Sequence, residues 1–362
     1  GLSRSCEAAC LFTVLSDRTD IVEYYSYTGR RCCNAPFFLP ICAKIFVYSC
    51  LSVNKMINCC IRNKKHFYGL EGYHMDKKLY DLMDWAGVEA IVYSEEDHPE
   101  KYLGPHQTED GIAVQAFFPD AKGAAVVLGS TGKTYQMDLE DEAGYFAALL
   151  PGKRIPDYSF TITYENSVVE GQKDPYSFPA QITEKEAKKF IAGICYNIYN
   201  KLGAHPMTIK GTDGVYFAVW APNAMRVSVV GDFNLWDGRR LPMRRLGDSG
   251  IFELFVPGIG SGEIYKYEIK AKGGLTYLKA DPYANAAELR PNTASVVTDL
   301  STFTWSDETW MEQRKKTSTK DQPMFIYELH LGSFRKPEDG RVFYNYRELA
   351  VMIADYVKEM GY

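Results

Sequence analysis

The sequence predicts a mainly β chain, organised as two tandem immunoglobulin-like β-sandwiches with one strand and one helix behind them. Three observations carry this. From Leu103 onward, short runs of β-branched and aromatic residues are separated by Gly, Pro, Asn and Asp turns, the pattern of antiparallel sandwiches. Those runs repeat: LGPH at Leu103 is answered by LGAH at Leu202, AVQAFFPDA (113–121) by FAVWAPNA (217–224), GYFAALLPG (144–152) by GIFELFVPG (250–258), and DPY at Asp174 by DPY at Asp281. A spacing that drifts slowly along the chain is the signature of homologous domains whose loops differ in length. After residue 322 the pattern changes to a short apolar run, MFIYELHL, followed by Leu349, Ile353, Tyr356, Val357 and Met360 at helical spacing with Gly361 as a stop.

Residues 1–74 are expected to be a leader foreign to the folded protein and poorly ordered, with Met75 as the genuine start. This stretch holds nine Lys/Arg and five Asp/Glu, a net of +4, which leaves 32 minus 41, or −9, for the remainder. It also holds eight of the nine cysteines, Cys195 being the other. No zinc spacing and no simple disulfide pattern is evident there. The apolar run Ala35 to Val53 has the length of a membrane span, but Pro36, Pro40 and Lys44 interrupt it. The cysteine-poor body reads as reduced and cytoplasmic, and its acidity argues against nucleic acid or an anionic membrane as the main partner. At 46% hydrophobic and 14% aromatic residues, the chain can build packed cores.

The elements follow in order. Residues 75–180 are assigned to the first sandwich with a short leading helix. Residues 181–204 are assigned to a connecting helix: Thr183 and Glu186 stand at capping-box spacing, Ile191, Ile194, Ile198 and Leu202 make one stripe, and Gly203 ends it. Cys195 lies beside that stripe as a packing residue. Residues 205–302 form the second sandwich, in which both faces of VYFAVW (215–220) are apolar, so this strand is expected to be covered on both sides. A polar linker spans 303–322, and 323–362 hold the strand and helix.

Few motifs survive a comparison with simpler readings. GSTGKT (129–134) lacks the first glycine of a phosphate loop, Val127 standing in its place, and reads as a hairpin turn. Glu328 and His330 share one strand face and could form an acid/base pair, but a structural role for both is the simpler reading. His106 and His205 each follow a Leu-Gly pair and are expected to brace equivalent turns. No cofactor or metal is implied. GDFNLWDG (231–238) is different, because it places Phe233 and Trp236 among turn-forming residues where strand alternation does not need them.

The run 202–270, with KADPYA (279–284), RPNTASVV (290–297), IYELHLGSF (326–334) and YRELA (346–350), resembles the glycogen branching enzymes of bacteria. The resemblance implies that 205–302 is a carbohydrate-binding β-sandwich and that 323–362 is a truncated start of a (β/α)8 barrel. It implies an enzyme that cuts α-1,4-glucan and transfers the segment to a C6 hydroxyl by a retaining mechanism, with an aspartate as nucleophile, a glutamate as acid and then base, and a second aspartate steadying the transition state. The chain ends at Tyr362, ahead of the residues that would do this, so catalysis by this fragment is not expected. The partners implied are α-1,4-glucan or glycogen, and the catalytic barrel itself. Trp236 is the implied glucan contact, stacking on a sugar ring, with Asn234, Lys266 and Asn292 as hydrogen-bonding neighbours. The alternative for the same loop is packing against the barrel. The alternatives for the whole are an isoamylase or trehalohydrolase, and a non-catalytic glycogen-binding module.

Overall fold

The computed structural model describes residues 77–362, together with Leu11–Phe12 and Tyr25–Ser26, which pair antiparallel. The leader, the apolar run 35–53 and the eight N-terminal cysteines otherwise lie outside the described residues. Residues 75–362 cluster as one unit, and the architecture below is that unit's.

Two short helices, α1 (Lys77–Leu82) and α2 (Trp85–Val92), open it. Asp84 caps α2 by accepting from the Ala86 N–H at 3.2 Å. Seven antiparallel strands follow: β1 (Gly104–Gln107), β2 (Ile112–Phe117), β3 (Gly123–Leu128), β4 (Thr134–Asp141), β5 (Tyr145–Leu150), β6 (Tyr158–Thr163) and β7 (Val168–Gln172). Their order is β1-β2-β5-β4-β3-β6-β7. Strand β4 pairs with β3 through Thr134–Met137 and with β5 through Asp138–Asp141, so one strand stitches the two halves together. Ile112 and Val114 share a core with Val126 and Phe160, while Ala113 and Phe117 face the other way, against Leu79, Val88 and Ile91 of the opening helices.

The second module is built from β8 (Gly203–Ile209), β9 (Thr212–Trp220), β10 (Ala224–Gly231), β11 (Arg244–Arg245), β12 (Ile251–Pro257), β13 (Ile264–Ala271), β14 (Thr276–Lys279), β15 (Ala286–Ala287) and β16 (Ser295–Val296). One sheet runs β8-β9-β12-β11 and the other β10-β13-β16-β15, with β14 also on β13. Phe217, Val219 and Leu254 of the first meet Val227, Val229 and Tyr265 of the second in one core. The expectation for β9 holds. Val215, Phe217 and Val219 enter that core, whereas Tyr216 and Ala218 pack on Phe178, Ile182 and Leu202 of the connecting segment. Burying one such side chain is worth about 1.5–3 kcal/mol.

The repeated motifs make the same contacts in both modules. Tyr158 donates to Asp174 at 2.5 Å, and Tyr265 to Asp281 at 2.7 Å; each aspartate also accepts from the backbone N–H two residues on, that of Tyr176 or Tyr283. Gly104 and Gly203 both have left-handed φ, +97° and +109°. A Cβ on either would stand about 3 Å from Tyr176 or Tyr283. His205 Nε2 hydrogen-bonds the Leu202 carbonyl at 3.0 Å. Sequence repetition here reflects a repeated cradle: a buried carboxylate must be met by donors, and each DPY turn supplies one while a strand tyrosine supplies the next.

Three expectations need correction. The connecting helix is shorter than 181–204: α3 covers Glu184–Ile191, started by the Thr183–Glu186 capping box. Gly193 then turns the chain at φ +72°, and a separate 3-10 turn covers Ile198–Asn200. The stripe is therefore divided, with Ile191 and Ile194 more than half exposed while Ile198 and Leu202 are buried. Gly203 begins β8 instead of ending a helix. Second, the linker 303–322 contains α4 (Glu308–Lys316), which has an acidic first turn and Arg314, Lys315 and Lys316 in its last, matching the helix dipole. Third, MFIYELHL forms no ladder; Met324, Phe325 and Ile326 are exposed, because among the described residues no neighbouring strand offers them hydrogen bonds. The helix after it forms as expected. After the single turn α5 (Leu331–Phe334), α6 covers Tyr346–Met360 with an Asn345–Glu348 capping box and Gly361 at its C-cap.

GSTGKT is a hairpin turn joining β3 to β4, closed by Leu128 N–H to Lys133 O and Gly132 N–H to Leu128 O. Cys195 packs beside Ile198 and Leu202.

Candidate functional site

At the end of β10 the chain leaves the sheet and makes a tight loop before β11. Asn234 holds its base: Oδ1 accepts from Gly231 N–H at 3.0 Å, and Nδ2 donates to the Val229 carbonyl at 3.0 Å. Its side chain is only 6% exposed. The amide expected to meet a sugar is thus committed inside the loop, and Asn234 acts as its staple. Leu235 and Trp236 both adopt left-handed φ, 60° and 59°, which costs about 1–3 kcal/mol per residue and persists only where surroundings enforce it. Here they do: Trp236 N–H bonds the Gly231 carbonyl at 2.9 Å, and its indole N–H donates to Asp232 Oδ1 at 2.7 Å. The result presents a half-buried indole beside Leu235, which is 75% exposed.

The return limb is equally constrained. Asp237 receives a bidentate fork from Arg239 at 2.8–3.2 Å; burial alone would raise its carboxyl, but Arg239 and Arg240 outweigh that and hold it below the usual range. Gly238 passes so close to Glu268 that a Cβ would lie 2.0 Å from its carboxylate. A side chain there would have to displace the Glu268 carboxylate, which is paired with Arg226.

Lys266 sits on β13 directly opposite Val230, beside the loop's departure point, and donates to Thr293 Oγ1 at 2.8 Å. Asn292, next in chain to Thr293, is exposed and donates to Glu288 at 3.1 Å. The four expected residues therefore fall into two groups. Asn234 and Trp236 share the loop, and Lys266 and Asn292 are linked through Thr293. Sequence reading missed Leu235 and two arginines, Arg226 and Arg240, which hold the loop's return limb. Their only sequence signals were a cation within an apolar strand and the Arg239-Arg240 pair following WDG.

The other titratable candidates do not assemble. Glu328 is exposed, and His330 Nδ1 contacts Ser333 Oγ at 3.1 Å. Burial pushes the His106 imidazole below its ordinary value, consistent with a structural neutral ring. Among the described residues, no group of three or more His, Cys, Asp or Glu could hold a metal, and no helix is long and apolar enough to cross a membrane.

Residues 84–176 match the family of the N-terminal domain of the α-1,4-glucan branching enzyme GlgB, and residues 201–284 match carbohydrate-binding module 48, the isoamylase N-terminal domain. The 1,4-α-glucan branching enzyme GlgB of Synechococcus sp. (strain JA-3-3Ab) is 42% identical over 78% of this chain and 40% of its own length; that of Rubrobacter xylanophilus is 44% identical over 76% and 38%. The chain thus spans about 40% of the length of the curated relatives it matches. A pullulanase structure from Anoxybacillus sp. LM18-11 is 18% identical over 56% of this chain and 28% of its own, at a TM-score of 0.25, a level that carries no argument about fold or function.

Proposed function

We propose that this protein, whose residues 84–176 match the GlgB N-terminal domain and whose residues 201–284 match carbohydrate-binding module 48, is the glucan-recognising front of a 1,4-α-glucan branching enzyme. The contact surface is the loop 231–238, with Trp236 stacking on a glucose ring, Leu235 extending the apolar platform, and Lys266 and Asn292 ordering hydroxyls. The single observation that carries this is the strained, fully braced loop that holds an indole at the surface with its N–H already satisfied. A sugar's C–H face can then cover the ring without stranding that donor.

The two β-modules are tandem immunoglobulin-like sandwiches in this reading, which is supported by the paired Tyr–Asp cradles. The segment 323–362 is the entry of a (β/α)8 barrel, supported by the capped helix α6 and by the apolar MFIYELHL ahead of it. The branching reaction, cleavage of an α-1,4 link and transfer to a C6 hydroxyl, is assigned to the whole enzyme and to no residue of this chain. A debranching hydrolase is the second reading, favoured only by the isoamylase part of the module-48 description; the GlgB domain at 84–176 weighs against it.

Glycogen titration of the full chain tests the contact. Trp236→Ala should weaken binding about tenfold with an unchanged thermal transition, since stacking by one aromatic is worth about 1–2 kcal/mol. Unchanged affinity would remove Trp236 from the site.

A further inference from the structure

The loop that carries Trp236 belongs to the second module, but its return limb is fastened to the first. Arg240 is the fastener. Its Nη1 donates to Tyr164 Oη at 3.0 Å and its Nη2 to the Pro119 carbonyl at 3.2 Å, with Asp120 Oδ2 at 3.8 Å. The guanidinium also lies 5.7 Å from the Tyr164 ring centroid. On the loop's own side, Arg240 Nε stands 3.6 Å from Asp237 Oδ2, and Arg240 N–H bonds the Asp237 carbonyl. Arg226, 3% exposed, makes a second tie: its Nε donates to the Ser94 carbonyl of the first module and its Nη1 to the Gly238 carbonyl of the loop, both at 3.1 Å, with Glu268 neutralising it.

We propose that the first module positions the glucan-contact loop of the second through Arg240 and its partners Tyr164 and Pro119, an inference that rests on the reading of Trp236 as the contact. Arg240 is a positioning residue here; it touches the frame that holds the indole, and not the sugar. The physical basis is the left-handed pair Leu235–Trp236. The hydrogen bonds around Asn234 hold the outgoing limb and Asp237 to their own sheet, and Arg226 of that sheet holds the Gly238 carbonyl, but at the end of the return limb the Arg240 side chain reaches across to the first module. A planar guanidinium with donors to two acceptors on another module supplies rotational as well as positional constraint. A loop that is ordered before the ligand arrives binds it without the ordering cost.

The test uses the full chain with two variants, one on each side of the contact. Arg240→Ala and Tyr164→Phe should both speed hydrogen exchange at the 235–240 amides, by about tenfold and about threefold, while the amides of β10 and β13 stay protected. Glycogen affinity should fall in step, about fivefold and about twofold. The double variant should be no worse than Arg240→Ala alone, because both remove one coupled contact. Exchange unchanged in both variants overturns the proposal. So does weaker binding with unchanged exchange, which would make Arg240 a direct sugar contact, and so does faster exchange with unchanged affinity in a protein where Trp236→Ala does weaken binding. Faster exchange in a protein where Trp236→Ala leaves affinity intact would uphold the positioning and overturn the glucan reading instead.

Discussion

The two β-modules repeat one Tyr–Asp cradle, but the first is a single seven-stranded sheet and the second two separate sheets, and one of their connections differs in a way that matters for the loop. In the first, β3 passes to β4 through the five-residue turn 129–133, and β4 is long enough to pair with both β3 and β5. In the second, the chain leaving β10 wanders through residues 232–243 before the two-residue β11, and the β10 backbone meets that return at the isolated Ser228–Pro242 bridge and its neighbouring bonds. The comparison shows where such a frame can change. Buried cradles admit little variation because each carboxylate must keep its donors, whereas the connection between β-strands at the module's rim can lengthen into a loop at the small entropic cost of extra loop residues. The longer connection carries the tryptophan; the shorter has none.

The largest expected effect breaks the comparison at its cradles. Asp281 accepts from both Tyr265 and Tyr267 hydroxyls, Asp174 from the Tyr158 hydroxyl alone. Asp281→Ala should therefore cost about 3–5 kcal/mol and Asp174→Ala about 2–3 kcal/mol, since each strands buried donors; urea unfolding would read both. Equal costs would mean that the second tyrosine adds nothing.

The cradle of the first module should also respond to pH. Burial raises the Asp174 carboxyl to about 6, against the pull of Tyr158, Tyr176 and Arg244. Between its unfolded value near 4 and about 6 the folded state therefore binds more protons than the unfolded, so stability falls as pH rises through that window. Its contribution, up to about 3 kcal/mol, is fully present below pH 4 and lost above pH 6. Other carboxylates titrate in the opposite sense, Glu186 and Asp237 among them, so the difference curve between the parent chain and Asp174→Asn isolates the slope. A flat difference between pH 4 and 7 would show that the cradle is ionised throughout.

The connecting segment offers a sharper contrast within one expected stripe. Ile198→Ala should lose about 2–4 kcal/mol, while Ile194→Ala should stay within about 0.5 kcal/mol, as judged from thermal shifts. The smallest effect concerns the loop's neighbour. Lys266→Ala should weaken glycogen binding about threefold and leave the fold unchanged, because a partly exposed hydrogen bond contributes about 0.5–1.5 kcal/mol; an effect equal to that of Trp236→Ala would move the centre of the site onto β13.

Much of this was legible because it is local. The Thr183–Glu186 cap, the Gly361 stop, the GSTGK turn and the paired DPY turns depend on residues within three or four positions of one another. The two-sided burial of VYFAVW was legible from its alternation, although what covers its second face, the segment 178–202, was not. The divided helix was missed because Ile191, Ile194, Ile198 and Leu202 satisfy a helical period whether or not Gly193 interrupts the backbone. Asn234 was read as a sugar contact because sequence cannot tell an exposed amide from one whose donors and acceptor are spent on Gly231 and Val229.

The sequence by itself determined the β class, the repeat, the helix starts and the tryptophan-bearing loop, since all of these follow from periodicity, turn residues and short-range hydrogen bonding. Only the tertiary structure decided that Arg240 of one module reaches Tyr164 and Pro119 of the other, that Asn234 is buried, and that MFIYELHL has no partner strand among the described residues. The Arg240 contact depends on groups far apart in sequence meeting at 3.0–3.2 Å, and the other two on how the surrounding chain closes around each group, which periodicity and turn residues do not encode.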